Sequence, residues 1–127
     1  MPTPRFGAVQ LRIMRLLWQH QRLTARDITD ALSDKSPIAH STVQTLLRKL
    51  EAKGAVGHEQ DGRTFIFFPL VRHEPVRRSA VRELIDRVFD GSPVGLVACL
   101  LRQERLSKAE LGEIRELIER EGKGGAA

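Results

Sequence analysis

Ser41, Thr42, Gln44, Thr45, Arg48 and Lys49 crowd into one short stretch. At about 100° per residue, a helix through them turns Val43, Leu46, Leu47 and Leu50 to one side. Ser41, Thr45, Arg48 and Ala52 then point the opposite way, with Thr42 and Lys49 flanking them on one edge and Gln44 on the other. Small hydroxyls at the start of such a helix permit close approach to phosphates and base edges. Gln and Arg can make paired bonds to base edges, and Arg and Lys neutralise phosphates. The chemistry offered is therefore that of a helix lying in the major groove of a duplex. An ordinary surface helix with a solvated charged face would have the same composition, so the neighbouring elements decide.

Those neighbours are well marked. Ser41 and Gln44 have capping-box spacing, which predicts a helix start at Ser41, and Gly54 stands where a left-handed C-terminal cap belongs. Upstream, Thr24 and Asp27 predict a second cap, for a helix with Ala25, Ile28 and Leu32 on its inner face; Pro37 closes the connection from Lys35 to His40. Before it, Val9, Ile13, Leu16, Leu17 and Trp18 mark a first helix of about three turns. Downstream, Asp61-Gly62 predicts a hairpin between strands 56–60 and 64–68, with Arg63 at its tip, where a wing reaches a phosphate or the minor groove. The other reading of Arg63 is a solubilising charge on a sheet edge.

The chain of 127 residues divides near Leu70–Pro75. Glu74-Pro75 opens a helix reaching about Phe89, with Val76, Ala80, Val81, Leu84, Ile85 and Val88 as a broad apolar side. Asp90-Gly91 stops it. Ser92-Pro93 restarts a helix that is apolar almost throughout, including Leu96, Val97, Leu100 and Leu101. Ser107 and Glu110 cap a last helix striped by Leu111, Ile114, Leu117 and Ile118. The expected organisation is mainly α with a small β-hairpin wing. It comprises a winged helix-turn-helix DNA-binding domain over 1–72, a three-helix dimerisation lobe over 73–121, and a flexible tail over 122–127. A lobe this small rarely buries its own core, and its middle helix is apolar on more sides than two neighbours can cover. A second copy is the simplest cover, giving a two-fold homodimer; a monomer with these helices folded back is the alternative.

Charge agrees. The chain holds 21 Lys/Arg against 16 Asp/Glu, net +5, and residues 1–70 hold 10 against 6 while 71–127 hold 11 against 10. A surplus on one lobe is the footprint of a polyanionic partner. Enzyme readings fare poorly. His20, His40, His58 and His73 lack metal-ligand spacing and cysteine partners, so no metal or other cofactor is expected. Ser41 has no nucleophile-elbow context, and the Gly122–Gly125 run precedes no helix, so it is no phosphate loop. The lone Cys99 fits a reduced cytoplasm and is expected as a buried, inert thiol. The N-terminus lacks an apolar core segment, so no signal peptide is expected, and the run Val94–Leu101 is far short of the roughly 20 residues of a membrane span. Rival functional classes are a winged-helix protein-interaction module and an RNA-binding one.

The chain resembles the penicillinase repressors, the BlaI/MecI/CopY type of winged-helix transcriptional regulator. The resemblance rests on LLW (Leu16–Trp18), TARDITDAL, HSTVQTLLRKLEAKG, the wing DGRTFIFFPL, LIDRVFDGSP from Leu84 to Pro93, and LSKAELGEIRELIE from Leu106 to Glu119, covering about residues 7–121. It implies a dimeric repressor on a palindromic operator, of β-lactam-resistance or related genes. Thr42, Gln44, Thr45 and Arg48 would contact bases and phosphates, Ser41 and Lys49 the backbone, and Arg63 would serve the wing. It further implies relief by cleavage within the helix matching Ser92–Gln103, triggered by a membrane metalloprotease-type sensor pathway. The best-known members are cut between Asn and Phe; the aligned pair here is Cys99-Leu100. The copper-responsive branch carries paired C-terminal cysteines, which this chain does not have.

Overall fold

The structure, a computed structural model, describes residues 4–103 and 105–124. Its elements run α1 (Ala8–His20), β1 (Leu23–Thr24), α2 (Ala25–Ser33), α3 (His40–Ala52), β2 (Val56–Asp61), β3 (Thr64–Pro69), α4 (His73–Val88), α5 (Pro93–Gln103) and α6 (Lys108–Gly124). The architecture is mainly helical with a small antiparallel sheet, as the sequence predicts. Two compact units divide within α4, at residues 1–82 and 83–127.

In the first unit the apolar stripes meet. Ile13, Met14 and Leu17 of α1, Ile28 and Leu32 of α2, and Val43, Leu47 and Leu50 of α3 are buried, with Ala55 and Val56 closing the core at the start of the hairpin. Truncating any one of the larger of these to Ala costs about 2–5 kcal/mol, because transfer and cavity terms add. The Thr24 cap forms as spaced: Asp27 N–H donates to Thr24 Oγ1 at 3.1 Å and Thr24 N–H to Asp27 Oδ2 at 3.1 Å. The end of α3 is a full Schellman motif. Gly54 takes φ 78, its N–H donates to the Glu51 carbonyl, and the Ala55 N–H donates to the Leu50 carbonyl at 2.9 Å.

The start of α3 departs from the expectation. Ala39 is the N-cap, no side chain caps the helix, and the Ser41/Gln44 box does not form. The reason is tertiary. Thr29 is buried in α2, and its Oγ1 lies 2.9 Å from His40 Nδ1 while donating to the Ala25 carbonyl at 2.8 Å. That contact holds His40 against α2, the chain is already helical there, and Ser41 becomes a first-turn residue.

The sheet holds a third strand that the sequence reading missed. β1 pairs antiparallel with β3 through Leu23↔Phe67 and Thr24↔Ile66, so the order is β1-β3-β2. In the hairpin, Asp61 pairs with Thr64, leaving Gly62-Arg63 as the two-residue loop; Gly62 takes φ 65 at its first position. Phe65 and Phe67 share a face with His58, whose ring centroid lies 4.6 and 5.5 Å from theirs.

In the second unit the expected caps recur. Asp90 and Gly91 take φ 51 and 80 after α4, Gly95 N–H donates to Ser92 Oγ at 2.9 Å, and Ser107 and Glu110 exchange bonds at 3.0 Å. Residues 122–124, expected in the tail, continue α6, and 125–127 lie outside the described residues.

Candidate nucleic-acid interface

The helical phase predicted for α3 places its side chains as follows. Val43, Leu47 and Leu50 are fully buried, while Ser41, Thr42, Gln44, Thr45, Arg48 and Lys49 are all exposed. Arg63 is exposed on the hairpin loop in the same unit. Among the described residues, the side chains of Gln44, Arg48, Lys49 and Arg63 make no hydrogen bond or ion pair. Other polar groups of this unit are committed. Lys53 donates to the Arg5 carbonyl at 2.6 Å and to Gln10 Oε1 at 2.9 Å, and Arg12 donates to the Leu32 carbonyl at 3.3 Å.

Two consequences were not legible from spacing. Because the capping box is absent, the Gln44 amide is free, and both its donor and its acceptor can meet a base edge. Thr45 Oγ1 donates to the Ser41 carbonyl at 3.0 Å. Its hydroxyl hydrogen is therefore used within the helix, and outward it offers an acceptor oxygen and a methyl group. The Thr42 N–H donates to the Ala39 carbonyl at 3.0 Å, and ahead of it, with no side chain capping the first turn, the His40 and Ser41 N–H groups are available to an anion.

Nearby carboxylates are offset. Glu51, in the last turn of α3, is hydrogen-bonded to His58 of β2, and Glu59 of β2 is ion-paired with Arg22. These contacts tie the hairpin to α3 and to the chain entering β1. Residues 1–82 hold 14 Lys/Arg against 7 Asp/Glu, a surplus of seven, whereas 83–127 hold 7 against 9, a deficit of two. The net positive charge thus belongs to the unit that carries α3 and the hairpin.

The apolar residues expected in a dimer contact distribute unevenly. Val81, Leu84, Val88, Val97, Leu100, Leu101, Leu111, Leu117 and Ile118 are exposed; Leu96 and Ile114 are half-buried; Ile85 is buried within the chain. α5 contains no buried residue. Cys99, expected as a buried thiol, is exposed on α5 beside exposed Leu100, because none of the described residues covers that face. No group of three or more potential metal ligands occurs among the described residues, and none of the described helices is long and apolar enough to cross a membrane.

Comparison with known proteins converges. A model of the penicillinase repressor family matches residues 6–120. The penicillinase repressor of Bacillus licheniformis is 26% identical over 116 residues, covering 91% of each chain. Among solved structures, the DNA-binding domain of the repressor BlaI aligns with TM-score 0.52 at 29% identity, covering 59% of this chain and 93% of that one. The monomeric form of Bacillus licheniformis BlaI in complex with the blaP half-operator aligns with TM-score 0.50 at 28% identity, over 58% of this chain and 90% of that one.

Proposed function

This chain belongs to the penicillinase repressor family, and from that premise we propose that it is a dimeric, sequence-specific DNA-binding repressor acting on a palindromic operator. The observation that carries this is the exposed face of α3. Gln44, Arg48 and Lys49 stand on it with no partner among the described residues, and Arg63 adds a cation from the wing of the same positively charged unit. In this reading α3 enters the major groove. Thr42, Gln44, Thr45 and Arg48 contact bases and phosphates, Ser41 and Lys49 hold the backbone, and Arg63 reaches a neighbouring phosphate or the minor groove. Phosphate neutralisation supplies affinity, and base-edge contacts supply discrimination of about 1–3 kcal/mol per well-made pair.

The exposed apolar residues of α4, α5 and α6 pair two copies through residues 73–121. A single reading helix spans few base pairs, and the dimer doubles that contact with two-fold symmetry. Bound over a promoter, the dimer represses by occluding polymerase. Relief belongs to the same proposal: a membrane metalloprotease-type sensor pathway leads to cleavage at Cys99-Leu100. Both residues are exposed, and α5 must open locally before a protease can bind it as extended chain. A fragment ending at Cys99, found by mass spectrometry after β-lactam exposure of cells, supports that step; an intact chain during induction contradicts it.

The test of the binding surface is amide chemical-shift mapping of the full chain with duplex DNA. Shifts concentrated on residues 40–49 and 61–64 are expected, attenuated by added salt. Shifts confined to other surfaces, or tighter binding to single-stranded RNA of the same sequence, would replace this reading with one of its rivals.

A further inference from the structure

The first turn of α3 is held against its own local preference. Its N-cap is Ala39, a poor residue for that position, whereas Ser41 is a good one and has Gln44 at capping-box spacing. Local chemistry therefore favours Ser41 as the cap. Its Oγ would accept from the Gln44 backbone N–H, and the Gln44 side-chain oxygen would accept from the Ser41 N–H. The second of those bonds is made elsewhere in this protein. At the head of α1, Gln10 Oε1 accepts from the N–H of the N-cap Gly7 at 3.0 Å, across the same spacing.

What keeps α3 in the longer form is a bond to the helix before it. Thr29 Oγ1 donates its hydrogen to the Ala25 carbonyl at 2.8 Å, so toward His40 it can only accept. The hydrogen in the 2.9 Å contact is therefore the one on His40 Nδ1. Nδ1 carries a hydrogen in that neutral tautomer and in the imidazolium alike, so protonating the ring leaves the bond in place. Thr29 is 5% exposed, which limits competition from water. With His40 held, the Thr42 and Val43 N–H groups reach the Ala39 carbonyl at 3.0 and 3.2 Å, and the first turn closes. One tertiary bond thus opposes one local cap, and interactions of these two kinds are of similar strength.

The balance bears on base reading. Bidentate pairing of glutamine with adenine uses the side-chain oxygen as acceptor and the NH2 group as donor. A capping box would consume that oxygen and turn the amide back onto the helix. We propose that Thr29 and His40 are positioning residues for base reading: their bond keeps the Ser41/Gln44 cap open and so keeps the Gln44 amide for an adenine edge in the major groove. This rests on the operator reading above, and Thr29 and His40 act in it only through the first turn of α3.

The experiment uses the full chain, and its first arm needs no DNA. In wild type the α-carbon chemical shifts of His40 and Ser41 should be helical. Thr29→Val keeps the side chain's shape without the oxygen; both shifts should lose their helical value while those from Thr42 onward keep it. Thr29→Ser restores the hydroxyl and should restore them. An unchanged Ser41 shift in Thr29→Val overturns the proposal. The second arm uses a palindrome that wild type selects from a randomised duplex pool. The base pair at which Gln44→Ala loses selectivity marks the Gln44 contact, and wild type should favour adenine there by about tenfold. Thr29→Val should cut that preference to about twofold or less, and adding Gln44→Ala to it should change nothing further. Selectivity at the pair marked in the same way by Arg48→Ala should stay within about twofold of wild type, which a general loosening of the winged unit would not allow. An adenine preference undiminished in Thr29→Val contradicts the proposal. Should Thr29→Val fold poorly, His40→Ala removes the donor from a half-buried position and is read in the same way. Selection of no duplex by wild type sinks the repressor reading, whereas a selected palindrome with no adenine at the Gln44 pair sinks this proposal alone.

Discussion

Thr24 and Ser41 head similar four-residue patterns, and only one of them caps a helix. Thr24 and Asp27 bond reciprocally, as do Ser107 and Glu110, and the pairing of Thr24 with Ile66 in the sheet leaves its cap intact. At Ser41 the contact between Thr29 and His40 carries the helix start one residue back. Local spacing was therefore legible, and the long-range bond that overrode it was not. Thr29→Val should lose that bond at close to constant shape, lowering stability by about 1 kcal/mol in urea unfolding. Gly57 lies close to Phe68, and a Cβ there would stand 2.9 Å from the ring. Gly57→Ala should cost about 1–3 kcal/mol by overpacking, read as a lower denaturation midpoint. Glu110 is held below the usual carboxylate range by the Ser107 backbone N–H first and the Ser107 hydroxyl second. A lowered folded-state pKa gives stability that is present above the ordinary value and lost as pH falls through the folded one. Far-UV ellipticity should therefore decline on acidification, and Glu110→Gln should remove that component.

Among the elements, α3 and the hairpin were readable because each carries its own periodicity and stop signals. Gly54 and Gly62 occupy the positive-φ positions their contexts require. β1 was not readable. It is two residues long, and its only ladder is with β3, far along the chain. It adds an edge to the sheet behind the wing, and with the Arg22–Glu59 pair it steadies the hairpin that carries Arg63. In the proposed reading Lys49 holds the backbone and Arg63 a phosphate or the minor groove, where base edges are poorly distinguished. Lys49→Ala and Arg63→Ala should accordingly weaken binding by a similar factor on all duplexes, each lowering the slope of log affinity against log salt by about one. Anisotropy titrations at several salt concentrations measure this, and a loss restricted to one sequence would reassign the residue to base reading.

For the whole molecule, the structural division sharpens what composition showed only faintly. Cutting the chain after residue 70 leaves a surplus on both sides, of four and of one, whereas the compact units carry a surplus of seven and a deficit of two. The arginines at the start of α4 belong with the winged unit, which spacing could not reveal. The exposed apolar side chains of α5 are what a second copy would cover, and exposed Cys99 fits the same uncovered face. Leu100→Asp places a charge there and should shift sedimentation equilibrium from dimer to monomer while half-site affinity is kept. The most direct test of the central claim is Arg48→Ala against two duplexes, the selected palindrome and its scrambled form. Base reading by α3 entails a loss of about 1–3 kcal/mol on the palindrome and little on the scrambled duplex. An equal loss on both, or none on either, would contradict base reading by α3.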